Sequence, residues 1–346
     1  MKDAMTPMER VLTTLGHEEP DRVPYFLLLT GHGAQLLNMH PEEYFSSGQN
    51  VARAQLKMQE IYGHDCFYPF FYASLETQAW GGSTVFYDDG PPNAGKPIIE
   101  SFEQIDELEA PDVMGHKGFD EVRKSINILY REKGEEIPII AVVMSPFSLP
   151  VMQMGFDRYF DLIYEDRKKF WELMNVNKQF CTEWANSQLE AGATAICYFD
   201  PVSSPTIVPR ETFLETGYKV AKDTIGNING AVATHLASGR SMAILEDLQD
   251  TGAAALGVSA MEDLTELKDR CRGKISLLGN LNAIEMRHWT AEQAENKVRQ
   301  AMEKAGSRGG YILSDNHGEM VWDVSHETLL NIANAVKKYG NYPLEK

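Results

Sequence analysis

The chain has 346 residues, 43% hydrophobic and 24% charged, with a formal net charge of −18. That length is ample for a large buried core and suits one large α/β domain or two ordinary ones. The excess of acid disfavours nucleic acid, anionic membrane surfaces and polyanionic ligands, because the long-range field repels them.

The N-terminus Met1-Lys-Asp-Ala-Met-Thr-Pro is polar, unlike a signal peptide, and no apolar run approaches the roughly 18 residues of a membrane span. The four cysteines (Cys66, Cys181, Cys197, Cys271) are scattered, without a C-x-x-C pair, as expected of reduced thiols in a cytoplasmic protein.

Short apolar runs recur at residues 23–29, 66–71, 137–144, 193–199, 231–234, 254–258, 275–278 and 311–313. Brief apolar runs are the mark of buried parallel strands. Amphipathic helical stretches separate most of them: 51–62, 119–133, 156–189, 210–224, 241–251, 264–272, 291–305 and 326–338. The stretch 156–189 is too long for one ordinary helix and reads as two. Strands alternating with helices imply a parallel sheet with right-handed crossovers, and eight such units predict a single (β/α)₈ TIM barrel over 1–346. The segment 73–111, rich in Gly, Pro and Asp, breaks the pattern and reads as a hairpin-bearing excursion.

In such a barrel the chemistry lies just past the C-terminal strand ends. Read in order, those ends offer Thr30-Gly31-His32, Tyr72, Ser145-Pro146, Asp200-Pro201, His235, Ser259, Gly279-Asn280 and Asp315-Asn316-His317-Gly318-Glu319. The fourth, fifth and eighth supply carboxylate and imidazole, so three distant segments are expected to converge on one mouth. The expected catalytic groups are His235, His317, Asp200 and Asp315.

Several segments, in order and spacing, resemble the uroporphyrinogen decarboxylase family and its corrinoid-dependent methyltransferase relatives. They are Thr6-Pro-Met-Glu9-Arg10, Pro20-Asp21-Arg22-Val23-Pro24, Ala191-Gly-Ala193 leading to Phe199-Asp200, Thr251-Gly-Ala253, Gly279-Asn280-Leu281 and Asn316-His317-Gly318. The resemblance runs from about residue 6 to 320 and implies the same (β/α)₈ fold. It also implies a choice of chemistry. Decarboxylase members grip a polycarboxylate with arginines after the first strand, where this chain has Thr30-Gly31-His32-Gly33 and no arginine until Arg53. Desolvating several carboxylates without cationic partners is prohibitive, which argues against porphyrinogen decarboxylation.

Thiol-methylating members hold zinc with a histidine, a cysteine two residues on, and a cysteine after the eighth strand. The matching positions here are His235, Ala237 and His317. What remains for a metal is an imidazole–carboxylate set, His235 and His317 with Glu319 or one or more of Asp315 and Asp200, which suits zinc acting on an oxygen ligand. That points to the first methyltransferase of an O-demethylase system, moving a methyl group from a methoxylated, vanillate-like aromatic to the cobalt of a separate corrinoid protein. A zinc Lewis acid, or a carboxyl or imidazolium donor alone, would assist the departing oxygen. The corrinoid carriers' D-x-H-x-x-G pattern is only approached by Asp315-Asn-His317-Gly-Glu-Met320, so the corrinoid is expected on a partner.

Expected substrate-binding residues are the aromatic positions Phe67, Phe71 and Tyr72, together with Glu76, Asn280 and His32. Alternatives are another methyl donor or a thiol acceptor, or a metal-free lyase or ligand-binding member of the family.

Overall fold

The computed structural model describes residues 4–344. Six strands form one parallel sheet, each beside the next in sequence: β3 (Ile140–Met144), β4 (Ala195–Phe199), β5 (Ala231–His235), β6 (Ala255–Gly257), β7 (Ser276–Leu281) and β8 (Tyr311–Asp315). A separate antiparallel pair, β1 (Thr84–Val85) and β2 (Asn93–Ala94), is the hairpin within the expected excursion.

The first two expected strands are extended but scarcely laddered. Tyr25 bridges Leu313 and Phe67 bridges Ile139, both in parallel, and the Asp65 N–H donates to the Tyr25 carbonyl at 2.8 Å. These contacts carry the ring from β8 through residues 23–29 and 65–71 back to β3, giving the α/β barrel. Pro24 and Pro69 lack the N–H that a full ladder needs. Beyond Phe67 the outer edge of β3 is therefore served by side chains. Gln188 Nε2 donates to the Val142 carbonyl, and the Met144 N–H donates to Glu76 Oε1, both at 2.9 Å.

Side chains alternate between barrel interior and helical layer. Phe26, Leu28, Tyr68, Val142, Cys197 and Ile312 form the inner cluster. Tyr25, Leu27, Phe67, Phe71, Val143 and Leu313 face outward into the larger core beneath the helices. The expected helix at 156–189 is two, Phe156–Glu165 and Arg167–Glu190, the second started by Asp166, whose side chain accepts from the Lys169 N–H. The stretch 210–224 also divides, at Thr216, into Arg210–Glu215 and Gly217–Gly226. Among the described residues no helix is long and apolar enough to cross a membrane, and all four cysteines are free and buried.

The helix Pro7–Leu15 closes the barrel floor. A Thr6/Glu9 capping box starts it, with proline in its first turn, and Val11 and Leu15 pack against the inner cluster. Beside it, Arg10 binds Asp21 at 2.7 Å and Asp65 at 2.6 Å, while Arg22 binds the other Asp65 oxygen at 2.7 Å. The Tyr25 N–H also donates to Asp65 Oδ2 at 2.8 Å.

Candidate active site at the barrel mouth

His235 is the last residue of β5 and is fully buried. Its ring stacks on Phe199 of β4, with centroids 5.6 Å apart and planes at 15°. On the β6 side it lies against Gly257, where an added Cβ would meet His235 Cδ2 at 2.2 Å. Only glycine leaves room for the imidazole there. His235 Nδ1 accepts the Ala237 N–H at 3.0 Å, a contact made with Ala237 in the left-handed region at φ 51°. An accepting Nδ1 puts the proton of the neutral ring on Nε2, and Nε2 has no hydrogen-bond partner. Burial, with a smaller push from His317, holds the His235 pKa down to about 4, so the ring is neutral near pH 7.

The loop after β8 brings His317 to the same mouth. Asp315 shapes it: Oδ2 accepts the Leu28 N–H at 2.9 Å and Oδ1 the His317 N–H at 3.1 Å. Gly318 follows at φ 92°, a conformation suited to glycine, with the Phe199 ring where a Cβ would stand. Tyr68 OH donates to the Gly318 carbonyl at 3.0 Å. His317 Nδ1 lies 2.7 Å from Ser238 Oγ. Behind that pair, Ser259 Oγ donates to the Ser238 carbonyl at 2.8 Å and Asn280 Nδ2 to the Ser259 carbonyl at 2.9 Å. The loops after β5 and β6 and the end of β7 are thereby tied to the histidine that follows β8.

Glu319 accepts a hydrogen bond from Thr30 Oγ1 at the end of the first strand segment. Withdrawal from water, reinforced by Asp315, raises its pKa to about 7 despite that bond. Burial also raises the Asp315 pKa against its two backbone donors. The mouth thus combines a neutral buried imidazole, a second imidazole and a carboxyl group that is substantially protonated near neutrality.

Other expected site residues lie elsewhere or are already engaged. Asp200 is buried and accepts from the hydroxyls of Ser145 at 2.5 Å and Ser148 at 2.7 Å on Oδ1, and of Ser203 on Oδ2. It joins the loops after β3 and β4, and its lone pairs are committed to three serines rather than offered to a ligand. Burial nevertheless raises its pKa. Phe67 and Phe71 are corrected from substrate surface to outer core, because side chains alternate along a strand and the inward positions are Cys66, Tyr68 and Phe70. Tyr72 packs edge-on against Phe45 and Phe86, toward the hairpin.

Glu76 lies behind the barrel wall with Trp184 and Gln188, bonded to the Met144 N–H, and burial raises its pKa to about 8. It completes the β3 edge. His32 opens the helix His32–Leu37 and holds the loop after β8 through Nε2, 3.2 Å from the Val324 carbonyl, with burial lowering its pKa to about 4. Ser238, Thr30 and Tyr68 were missed as site residues. Ser238 follows His235 by three residues and Tyr68 alternates with Cys66, signals that acquire meaning only once the inward face is known.

Zinc requires three or more protein ligands around one point. Among the described residues no three His, Cys, Asp or Glu side chains are so grouped. His235, His317 and Glu319 therefore do not form the expected metal shell in this arrangement, with Glu319 held by Thr30 and His317 by Ser238.

A search of known structures finds a methyltransferase from Methanosarcina mazei that superposes with a TM-score of 0.87, covering 97% of this chain and 99% of the other at 17% identity. A B12-independent methionine synthase from Shewanella matches with a TM-score of 0.53 at 15% identity over 92% of each chain. These likenesses establish the shared fold. By sequence, the uroporphyrinogen decarboxylase of Idiomarina loihiensis is 23% identical over 96% of both chains, and that of Pseudoalteromonas translucida 24% over 75% of both. The profile of the family described as uroporphyrinogen decarboxylase (URO-D) matches residues 6–339, nearly the whole chain, and on that match the chain belongs to the uroporphyrinogen decarboxylase family.

Proposed function

We propose that the protein is a methyltransferase that moves a methyl group from a small methoxylated aromatic to the cobalt of a corrinoid carried by a separate protein. The observation that carries this reading is the set of groups delivered by the strand ends: Glu319 with its pKa raised to about 7, neutral His235, and His317 held by Ser238. Likeness to a methyltransferase fold supports the same direction. When the methyl carbon bonds to the reduced cobalt of the partner, the carbon–oxygen bond breaks and its electron pair stays on oxygen. A phenoxide leaves poorly unless it is protonated as it departs, and a carboxyl group poised near neutral pH is matched to that task. Glu319 supplies the proton. His235, with an N–H and no internal partner, orients the ether oxygen, and His317 is held beside it by Ser238. No step requires a resident metal.

The test is direct. Reduced corrinoid protein with vanillate or guaiacol should develop the methyl–cobalt absorbance and release a catechol. Absence of turnover across a panel of aryl methyl ethers refutes the reading.

Decarboxylation of a polycarboxylate is the competing reading that the curated relatives favour. The buried guanidinium groups of Arg10 and Arg22 speak against it, because they lie at the opposite end of the barrel, bonded to Asp21 and Asp65. Release of carbon dioxide from a porphyrinogen would reverse the choice.

A further inference from the structure

The loop after β5 is pinned from both sides. Gly239 packs so closely on the loop after β4 that an added Cβ would meet Ser204 Cβ at 2.6 Å. Next to it, the Arg240 N–H donates to Thr206 Oγ1 at 3.2 Å and the Arg240 carbonyl accepts Ser204 Oγ at 2.8 Å. From the β6 side, Glu262 accepts the Ser241 and Met242 N–H groups at 2.9 and 2.7 Å and the Ser241 hydroxyl at 3.0 Å. Loops held this way at the C-terminal strand ends are where a barrel carries recognition.

The pinned loop forms one wall of an open groove of about 850 Å³, a size suited to a small molecule. Ser238 lines it, and the same hydroxyl lies 2.7 Å from His317 Nδ1, so the groove opens beside the histidine that follows β8. Pro205, Met242, Ala243 and Met261 give it an apolar bed. Thioethers make favourable contacts with aromatic rings, and Met261, 66% exposed, is available to one.

Charge in the groove is selective. Asp263 Oδ1 caps the helix Leu264–Cys271 by accepting the Glu266 N–H at 2.9 Å, and Glu266 lies 3.9 Å from Arg270. With Glu262 engaged as above, each acid of the groove has a partner. The guanidinium of Arg240 has none among the described residues. Such a group offers a planar fork matched to a carboxylate. In a chain of net charge −18, with Glu262, Asp263 and Glu266 lining the same groove, a single negative charge is the most it can attract. Ser238 and Arg240 are two residues apart, at most about 7 Å along the chain, which is comparable to the span across a substituted benzene ring.

We propose that this groove seats the aromatic ring of the methyl donor on Met242 and Met261 with a ring carboxylate on Arg240, so that the substrate is a methoxybenzoate-type acid rather than a neutral aryl ether. The identity of the donor rests on the methyl transfer proposed above, while the binding itself needs no corrinoid partner.

Vanillate and guaiacol are a matched pair that differ only in the carboxylate. Titrated calorimetrically into the unaltered full chain near neutral pH, vanillate should bind about tenfold tighter than guaiacol, the scale of one hydrogen bond to a charged group. Added salt should narrow the gap, because the pair is exposed. Arg240→Met keeps the stem and removes the charge. It should bring vanillate down to the affinity of guaiacol and leave guaiacol unchanged, and Arg240→Lys should restore part of the preference. Met261→Ser should weaken both ligands alike, by about two- to tenfold. Equal binding of the two ligands by the unaltered chain overturns the inference. So does a preference that survives Arg240→Met, and so do unchanged affinities in Met261→Ser. Vanillate bound through Arg240 without methyl–cobalt formation refutes the methyl transfer and leaves the carboxylate site standing. Demethylation of guaiacol with no preference for vanillate refutes the carboxylate site alone.

Discussion

The two ends of the barrel treat buried polarity in opposite ways. At the floor, Arg10, Asp21, Arg22 and Asp65 bring together two guanidinium groups and two carboxylates, with short bonds between opposite charges and a backbone N–H drawn into Asp65. At the mouth, His235 keeps an N–H without a partner, while burial raises the pKa values of Asp315 and Glu319. The floor compensates each desolvated charge, as a structural cluster must. The mouth leaves donors and protons available, as a site that meets a ligand must. Both ends carry the family resemblance, so matching motifs alone do not separate stability from chemistry.

The largest expected effect is at the floor. Asp65→Ala removes the carboxylate shared by two buried guanidinium groups and should cost about 3–5 kcal/mol, the usual range for breaking a buried pair on one side. Urea unfolding reads this directly, and turnover per folded molecule should change little. Acid should attack the same end. Arg10 and the Met5 and Arg22 N–H groups hold the Asp21 pKa down to about 2, against burial. A depressed carboxylate contributes stability above its unfolded pKa, and that contribution is lost as pH falls through the folded value. The loss should therefore fall between about pH 4 and pH 2 and be absent in Asp21→Asn. A pH-independent unfolding midpoint in that window would remove the contrast.

At the mouth, His235→Phe keeps a ring over Gly257 and removes both nitrogens. Turnover should fall about 100-fold or more, the scale of a positioned proton-bearing group, while stability falls far less than in Asp65→Ala. A variant that retains full activity would reduce His235 to a packing residue.

Glu319 offers an intermediate effect read by pH. If its protonated form is the donor, the rate should decline about tenfold per pH unit above about 7, the value to which burial raises it. Glu319→Gln should lower the rate and abolish that limb. The smallest effect belongs to Ser238→Ala, which releases His317 Nδ1. A loss of less than about tenfold in kcat, without change in the unfolding midpoint, corresponds to one neutral hydrogen bond. Metal analysis sharpens the same end: purified protein should carry no stoichiometric zinc dependent on His235 and His317.

Much of the architecture was legible because periodicity is local. The runs at 137–144 and 311–313 contain or fall within β3 and β8, and the doubled helix over 156–189 divides at Asp166. The break at Thr216 escaped notice because the apolar pattern continues across it. In the site, His235 and His317 were legible as polar residues ending or following apolar strands. That Asp200 accepts from Ser145 and Ser148, more than 50 residues earlier, could not be read from its local sequence. That Glu76 accepts from the edge of β3, at Met144 68 residues away, could not be read from its local sequence either.

By itself, then, the sequence determined the eight-unit α/β order and the polar groups at each strand end, since these follow from residue type and period. Tertiary structure alone decided which of those groups remain available. Phe67 and Tyr68 are adjacent in the chain yet one lies in the outer core and the other inside the barrel. The imidazole of His235 has an unpartnered nitrogen only because Gly257, Phe199 and Ala237 surround it as they do. Availability depends on what packs against a group in three dimensions, and no local pattern carries that information.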